Sequence, residues 1–348
     1  MKRISVLIFA YLLITSCNNE YKPRNIESVD VIKFKKDKSS IRTIVSVDKN
    51  TVYYAGSKGD YGYTKDGGKS WSTEYIKHQD TIIPHFRSLT KNGNDFFALS
   101  IAHPALLYKL SNNNTELVYK EENEKVFYDA IKFFDDGLHG IAVGDPTEDC
   151  PSIIVTFDGG NSWGKIECSS LPKFDDGEAF FAASNTNIKT IGSTVWIASG
   201  GNKARILKSN DYGKTWQTFN TPVIQGDGPQ GIYSIDFFDK NMGIVIGGDY
   251  SKPKENKANK AITIDGGKTW SLVSNNQNPS YKSCVQYVPN TQGKEIFAVG
   301  ITGISYSNDS GKSWKEVSKD KYYAIEFVDR NTAWLSGNKK IGKLILTN

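Results

Sequence analysis

Thr263-Ile264-Asp265-Gly266-Gly267-Lys268-Thr269-Trp270 decides the fold, because the chain writes this pattern five times. The other copies occupy residues 64–71, 156–163, 209–216 and 307–314. Each reads Ser or Thr, any residue, Asp, two residues rich in Gly, any residue, Ser or Thr, Trp. The Asp carboxylate can accept backbone N–H groups a few residues on, and the glycines supply the positive φ that a tight turn imposes. The Trp then opens the returning strand, where an indole buries roughly 150–250 Å² against a neighbour. One short unit thus specifies both a hairpin turn and its packing.

The spacing of the units sets the architecture. Asp66, Asp158, Asp211, Asp265 and Asp309 are separated by 92, 53, 54 and 44 residues, so the first gap holds two units. The missing one falls in residues 86–119, where Leu107-Tyr108-Lys109-Leu110-Ser111-Asn112-Asn113-Asn114 keeps a strand and an Asn turn without the Asp or the Trp. A repeat of this length indicates a propeller or similar array, not independent domains. Between the turns come aromatic-rich first strands and second strands ending in Gly, such as Val52-Tyr53-Tyr54-Ala55-Gly56, Ile244-Val245-Ile246-Gly247 and Ala333-Trp334-Leu335-Ser336-Gly337. Short β-branched and aromatic runs bounded by Gly, Asn and Asp are strands, and no segment carries a helical period.

Seven units fit between Ile41 and Leu346, the last stopping after its third strand. Ser28-Val29-Asp30-Val31-Ile32-Lys33-Phe34 alternates like a strand and has no unit of its own. It is expected to supply the fourth strand of the last blade and so cover an open sheet edge. The expectation is an all-β, seven-bladed β-propeller over residues 28–348. The repeated unit resembles the Asp box, or BNR repeat, of sialidases and other propellers, which lies between the third and fourth strands of a blade.

At the start, Met1-Lys2-Arg3 precedes an apolar run over residues 4–14, too short for a permanent bilayer span of about 20 residues but suited to a signal peptide. Ile14-Thr15-Ser16-Cys17 resembles a bacterial lipobox. Residues 1–17 are accordingly expected to be a lipoprotein signal peptide, Cys17 the lipidated residue, and 18–27 a tether. That would place the protein in the cell envelope, lipid-anchored on a periplasmic or outer-membrane face. The net charge of +5 comes mostly from scattered lysines, with six arginines in the chain and no basic helix, which argues against nucleic-acid binding. Cys150 and Cys168 fall in one repeat and are candidates for a disulfide, whereas Cys284, in an apolar strand, is expected to be a buried thiol.

In a propeller the turns just described share one face, and the loops entering first strands and leaving second strands form the other. Function by fold-level analogy sits on that second face, around the channel. The residues mapping there are Arg42, His85 with Arg87, Tyr128 with Asp129, Glu178, Tyr233 with Ser234, His103, Asp145, Lys203 with Arg205, and Asp249 with Tyr250. Arg forks suit carboxylates, and Asp129, Glu178 and Asp145 would offset their charge. Ion-pair networks and active sites look alike at this level.

The Gly144-Asp145-Pro146 turn, Gly177-Glu178-Ala179-Phe180-Phe181-Ala182-Ala183 and Gly247-Gly248-Asp249-Tyr250 resemble exported bacterial propellers loosely labelled oxidoreductase or BNR glycosyl hydrolase. That group is similar to the photosystem II stability and assembly factors, which share the propeller and an arginine patch. The resemblance implies a binding or assembly module for an envelope protein, peptide or glycan, monomeric and without a cofactor. The oxidoreductase label has no basis here, since neither a dinucleotide-binding glycine motif nor a CxxC is present. The alternative is a sialidase-like glycosidase. It would use Arg42, Arg87 and Arg205 on a substrate carboxylate, Tyr250 or Tyr128 paired with Glu178, and Asp129 or Asp145 as acid/base. His103 and Asp249 would join the ligand-binding set. Four scattered histidines give no metal-ligand spacing.

Overall fold

The computed structural model describes residues 21–346 apart from 113 and 227. The lipobox Cys17 lies outside the described residues. Within them the chain is strand and turn, with a single 3-10 turn at Cys168–Ser170.

The described strands pair into six antiparallel sheets, four of four strands and two of six. The six-stranded sheet that holds both chain ends divides where Val31–Ser46 bends, and the successive sets are numbered as blades in chain order. Blade 2 is representative: Phe86–Asn92, Asp95–Ser100, Ala105–Ser111 and Asn114–Glu121 pair in simple meander order. Blades 3 to 7 open with Tyr128–Phe133, Ile188–Ile191, Gln230–Phe237, Cys284–Tyr287 and Ala324–Phe327.

Two long strands close the ring. Val31–Ser46 bends between Lys35 and Ser40, so that Val31 to Lys35 pair with Leu344 to Lys340 in blade 7 while Ile41 to Ser46 pair with Val52–Gly56 in blade 1. The N-terminal strand thus completes the last blade in the manner its alternating pattern implies.

Each repeated turn is built the same way. Thr263 Oγ1 donates to Asp265 Oδ1 (2.8 Å) and accepts from the Gly267 N–H (3.0 Å). Asp265 then accepts from the Thr269 N–H (2.9 Å) and hydroxyl (2.6 Å). Partial burial pushes the Asp265 carboxyl up, but these donors favour the anion more and hold it at about 2. Gly266 and Gly267 take φ +76° and +85°. A Cβ on Gly267 would press within 3.1 Å of the Trp196 ring, which is why the unit keeps Gly where the preceding blade approaches.

The core is distributed over the blade interfaces. Seven buried clusters each straddle one pair of neighbouring blades, and the turn Trp of a blade packs against its predecessor. Trp163 lies against Phe97 of blade 2 and Phe133 of its own blade. Trp71 meets Trp334 of blade 7 edge-on at 6.4 Å.

Candidate functional site

The stretch between blades 3 and 4 builds the site. It begins at the Cys150–Cys168 disulfide, whose Cα atoms lie 5.7 Å apart. Glu178–Ala179 then pairs with Gly200–Gly201. From there residues 180–186 run across the mouth of the channel and enter it. Asn185, at φ +60°, donates from Nδ2 to the Leu89 carbonyl of blade 2 (2.8 Å) and accepts from the Ile131 N–H of blade 3 (2.9 Å). Ser184 donates to the Ser283 carbonyl of blade 6 (2.6 Å), and Thr186 shares a hydrogen bond with Ser234 of blade 5 (2.8 Å). This segment is a plug that ties four blades together.

Above the plug lies a cavity of about 570 Å³ whose lining includes Arg42, Arg87, Asp145, Tyr250, Tyr281 and Tyr323. Its wall also holds Phe181, stacked on Tyr233 at 4.1 Å with the rings 3° from parallel. Phe181 rests on backbone: a Cβ at Gly200 would come within 2.2 Å of its ring, so only Gly permits the seat.

The plug supplies acceptors to both arginines. Arg87 Nη1 donates to the Ala182 carbonyl (3.2 Å) and Arg42 Nη1 to the Ala183 carbonyl (3.5 Å). The Arg42 guanidinium lies over the Tyr323 ring, 3.9 Å from its centroid. No carboxylate among the described residues lies within 4.0 Å of either guanidinium. Arg87 Nε has no acceptor. Burial and the neighbouring Arg42 charge both lower the Arg87 pKa, with Asp129 acting in the opposite sense. His85 is driven down to about 4 by burial and then by the charges of Arg87 and Arg42, so it is neutral near pH 7.

Asp145 accepts the Phe180 N–H (2.7 Å), yet burial raises its pKa to about 6. Asp129 is fully buried, with neither oxygen hydrogen-bonded. Its pKa is pushed well up by burial and by Asp145, against the pull of Arg87. The acids near the arginines form no ion pair with them: Asp129 is enclosed and driven toward its neutral form by burial, and Asp145 loses its charge on the acid side of about 6.

Of the residues expected here, Arg42, Arg87, Asp145, Tyr233 and Tyr250 line the cavity and the others do not. Glu178 is bound by Arg205, with Nε to Oε1 at 2.7 Å and Nη2 to Oε2 at 2.9 Å, and by the Ser199 hydroxyl. Arg205 also lies over Phe174. These two groups satisfy each other because a buried carboxylate needs a partner. Asp249 is turned to the Ser251 N–H and hydroxyl. Tyr128 is buried in the interface of blades 2 and 3 and donates to Glu121 (2.8 Å). His103 is exposed and outside the cavity lining. Sequence reasoning did not single out Tyr281 and Tyr323, which stand just before the first strands of blades 6 and 7, although the same position had already flagged Tyr233 and Arg42.

The fold and this face define a β-propeller with a plugged channel and a cationic, aromatic cavity. No family model matches the sequence, and no curated protein matches it. Solved structures with a similar fold include YCF48 bound to D1 peptide (TM-score 0.64, 14% identity, 93% of this chain and 100% of that chain). YCF48 from Cyanidioschyzon merolae is similar to the same degree (TM-score 0.64, 15% identity, 90% and 98%). So is the WD40 propeller domain of Doa1 (TM-score 0.58, 12% identity, 91% and 96%). At these identities the likeness is one of fold.

Proposed function

We propose that this chain is a binding module that holds an anionic peptide segment of a partner protein in the channel-face cavity. The observation that carries this reading is the pair Arg42 and Arg87, held by neutral backbone carbonyls inside an aromatic-walled cavity. Guanidinium forks so held remain free to receive a carboxylate, and the four tyrosines and Phe181 can cover its apolar neighbours. The peptide bound by YCF48, on a similar propeller, supports a peptide as the ligand class. The signal-like leader and Cys17 support a lipid-anchored module of the cell envelope, which radiolabelled palmitate incorporation abolished by Cys17→Ser would test.

A sialidase-like reaction is not the reading adopted, because Tyr250 faces the cavity whereas Glu178 is engaged by Arg205. The test is fluorescence polarisation with labelled peptides ending in a free carboxylate, the same peptides amidated, and peptides with an internal Asp or Glu. Anionic peptides should bind, and Arg42→Ala with Arg87→Ala should weaken them at least about tenfold, as expected for two charge-assisted contacts. Equal binding of neutral peptides, or no effect of the double substitution, would reject the reading.

A further inference from the structure

The repeated turns carry a second site in the place where one of them has lapsed. In blades 1, 3, 4, 5 and 6 the turn Trp wedges into the interface with the preceding blade. Its floor includes the second-strand residue three positions before the terminal Gly or Ser of the preceding blade. This is Trp334 before Gly337 for Trp71, Phe97 before Ser100 for Trp163, and Ile244 before Gly247 for Trp314.

Two blades have no such Trp. At blade 7 the interface is covered from elsewhere, since Ile26, Val29 and Val31 of the N-terminal segment pack on the cluster containing Phe297. At blade 2 no Trp takes the place, and Phe96 and Leu117 cover the interface only in part. The turn is short, with Ser111 and Asn114 directly paired, where blade 6 inserts residues 307–314 between the paired Tyr306 and Lys315.

A cavity of about 440 Å³ opens at this interface, on the face of the repeated turns and away from the arginines. Tyr53, three positions before Gly56, forms its floor and stacks on Phe96 at 3.8 Å. Tyr61 and Tyr63 are its half-buried walls, and Glu74, Asn94 and Asn112 stand around it.

We infer that this gap is a docking site for an indole side chain from a partner polypeptide. Five interfaces of the same molecule show what that geometry accepts: an indole packed among aromatic or branched residues, edge-on to a neighbouring ring at Trp71, Trp163 and Trp270. In four of them the indole N–H reaches a carbonyl of its own turn, as in Trp314 Nε1 to Gly311 O (2.9 Å). A guest indole brings no such turn, and the Glu74 carboxylate and the Asn side-chain carbonyls supply acceptors in its place. Tyrosines with phenol groups at the surface suit a ring that is apolar at its faces and polar at one edge.

The test is saturation-transfer NMR on the full chain with N-acetyl-L-tryptophanamide, with N-acetyl-L-alaninamide and methyl glycosides as comparisons. The indole ring protons should receive saturation and the alanine compound should not. Asn114→Trp places an indole at the position equivalent to Trp314 and should weaken the added indole at least about tenfold while raising Tm, as a filled gap does. Replacing residues 111–114 by the blade 6 turn is the second variant and should do the same. Transfer to glycosides but not to indole, no transfer at all, or unchanged indole binding in both folded variants would overturn the inference.

Discussion

Asn185 is the residue on which the plug is most exposed to test. Replacing it with Ala strips an acceptor from the Ile131 N–H and a donor from the Leu89 carbonyl, both in buried strands. Each orphaned group costs roughly 1–3 kcal/mol. The native φ of +60°, tolerable for Asn, adds roughly 1–2 kcal/mol once the residue is Ala. The sum is a loss of about 3–8 kcal/mol. The same strand of chain carries the Ala182 and Ala183 carbonyls that hold Arg87 and Arg42, so affinity for an anionic peptide should fall with it. Urea unfolding gives the stability change, and hydrogen exchange at the Ile131 amide gives its location. Asn185→Gly removes the φ cost and leaves the two lost hydrogen bonds. A loss under about 1 kcal/mol for Asn185→Ala, or unchanged exchange at Ile131, would refute the bridging role, because surface positions without such contacts show changes of that size.

Arg205→Ala should destabilise by about 3–5 kcal/mol in chemical denaturation, since it leaves the Glu178 carboxylate buried and unpaired, and Glu178→Gln should cost less. Trp270→Ala should cost about 3–5 kcal/mol, losing a buried indole and its bond to Gly267 O, and more than Trp163→Ala, whose indole N–H has no partner to lose. The pH profile separates His85 from Asp145. His85 has a folded pKa of about 4 against 6.5, so the unfolded chain binds more protons in that window and stability falls as pH drops from 6.5 to 4. Asp145 has a folded pKa of about 6 against 3.8, so the folded chain binds more protons and stability falls as pH rises from 3.8 to 6. The two oppose each other in the native protein. Relative to it, His85→Gln should gain stability toward pH 4 and Asp145→Asn should gain toward pH 6, by no more than about 3 kcal/mol, and less for such half-buried groups. Thermal melts across pH 4–7 that move both variants in the same direction would contradict this assignment.

The fold was legible because its signal is local. Asp265, its glycines and Thr269 close their turn within a few residues, and the Trp that follows names the neighbour it needs. Ring closure was legible for a related reason: the alternation of Val31, Ile32, Lys33 and Phe34 has no partner nearby, and an incomplete last blade offers one. The site was legible in part. Position in the repeat placed Arg42 and Arg87 on one face, but which acid would neutralise which arginine is fixed by side-chain reach. Glu178 and Arg205 lie 27 residues apart and find each other through strand pairing that no short motif encodes. The plug has no period at all, and its contacts span 54 and 96 residues to Ile131 and Leu89. Spacing does not betray it either: Asp158 to Asp211, which holds the plug, is 53 residues, and Asp211 to Asp265, which does not, is 54.

The contrast between the arginines bears most directly on function. Arg205 meets a carboxylate in two-pronged geometry and its charge is spent within the fold. Arg42 and Arg87 meet carbonyls, which orient a guanidinium without cancelling it. Of the nearby acids, Asp129 is driven toward its neutral form by burial, and Asp145, which keeps its charge above about pH 6, makes no ion pair with either arginine. Two like charges kept together in this way cost stability, as the lowering of the Arg87 pKa by burial and by the Arg42 charge reflects. The backbone of the plug thus orients both guanidiniums beside the cavity without pairing them to a carboxylate. Removing the charge at the arginines themselves is the discriminating test: Arg42→Gln with Arg87→Gln should leave the melting temperature unchanged or raise it while weakening the binding of anionic peptides, a paired outcome that a purely structural role for the arginines does not produce.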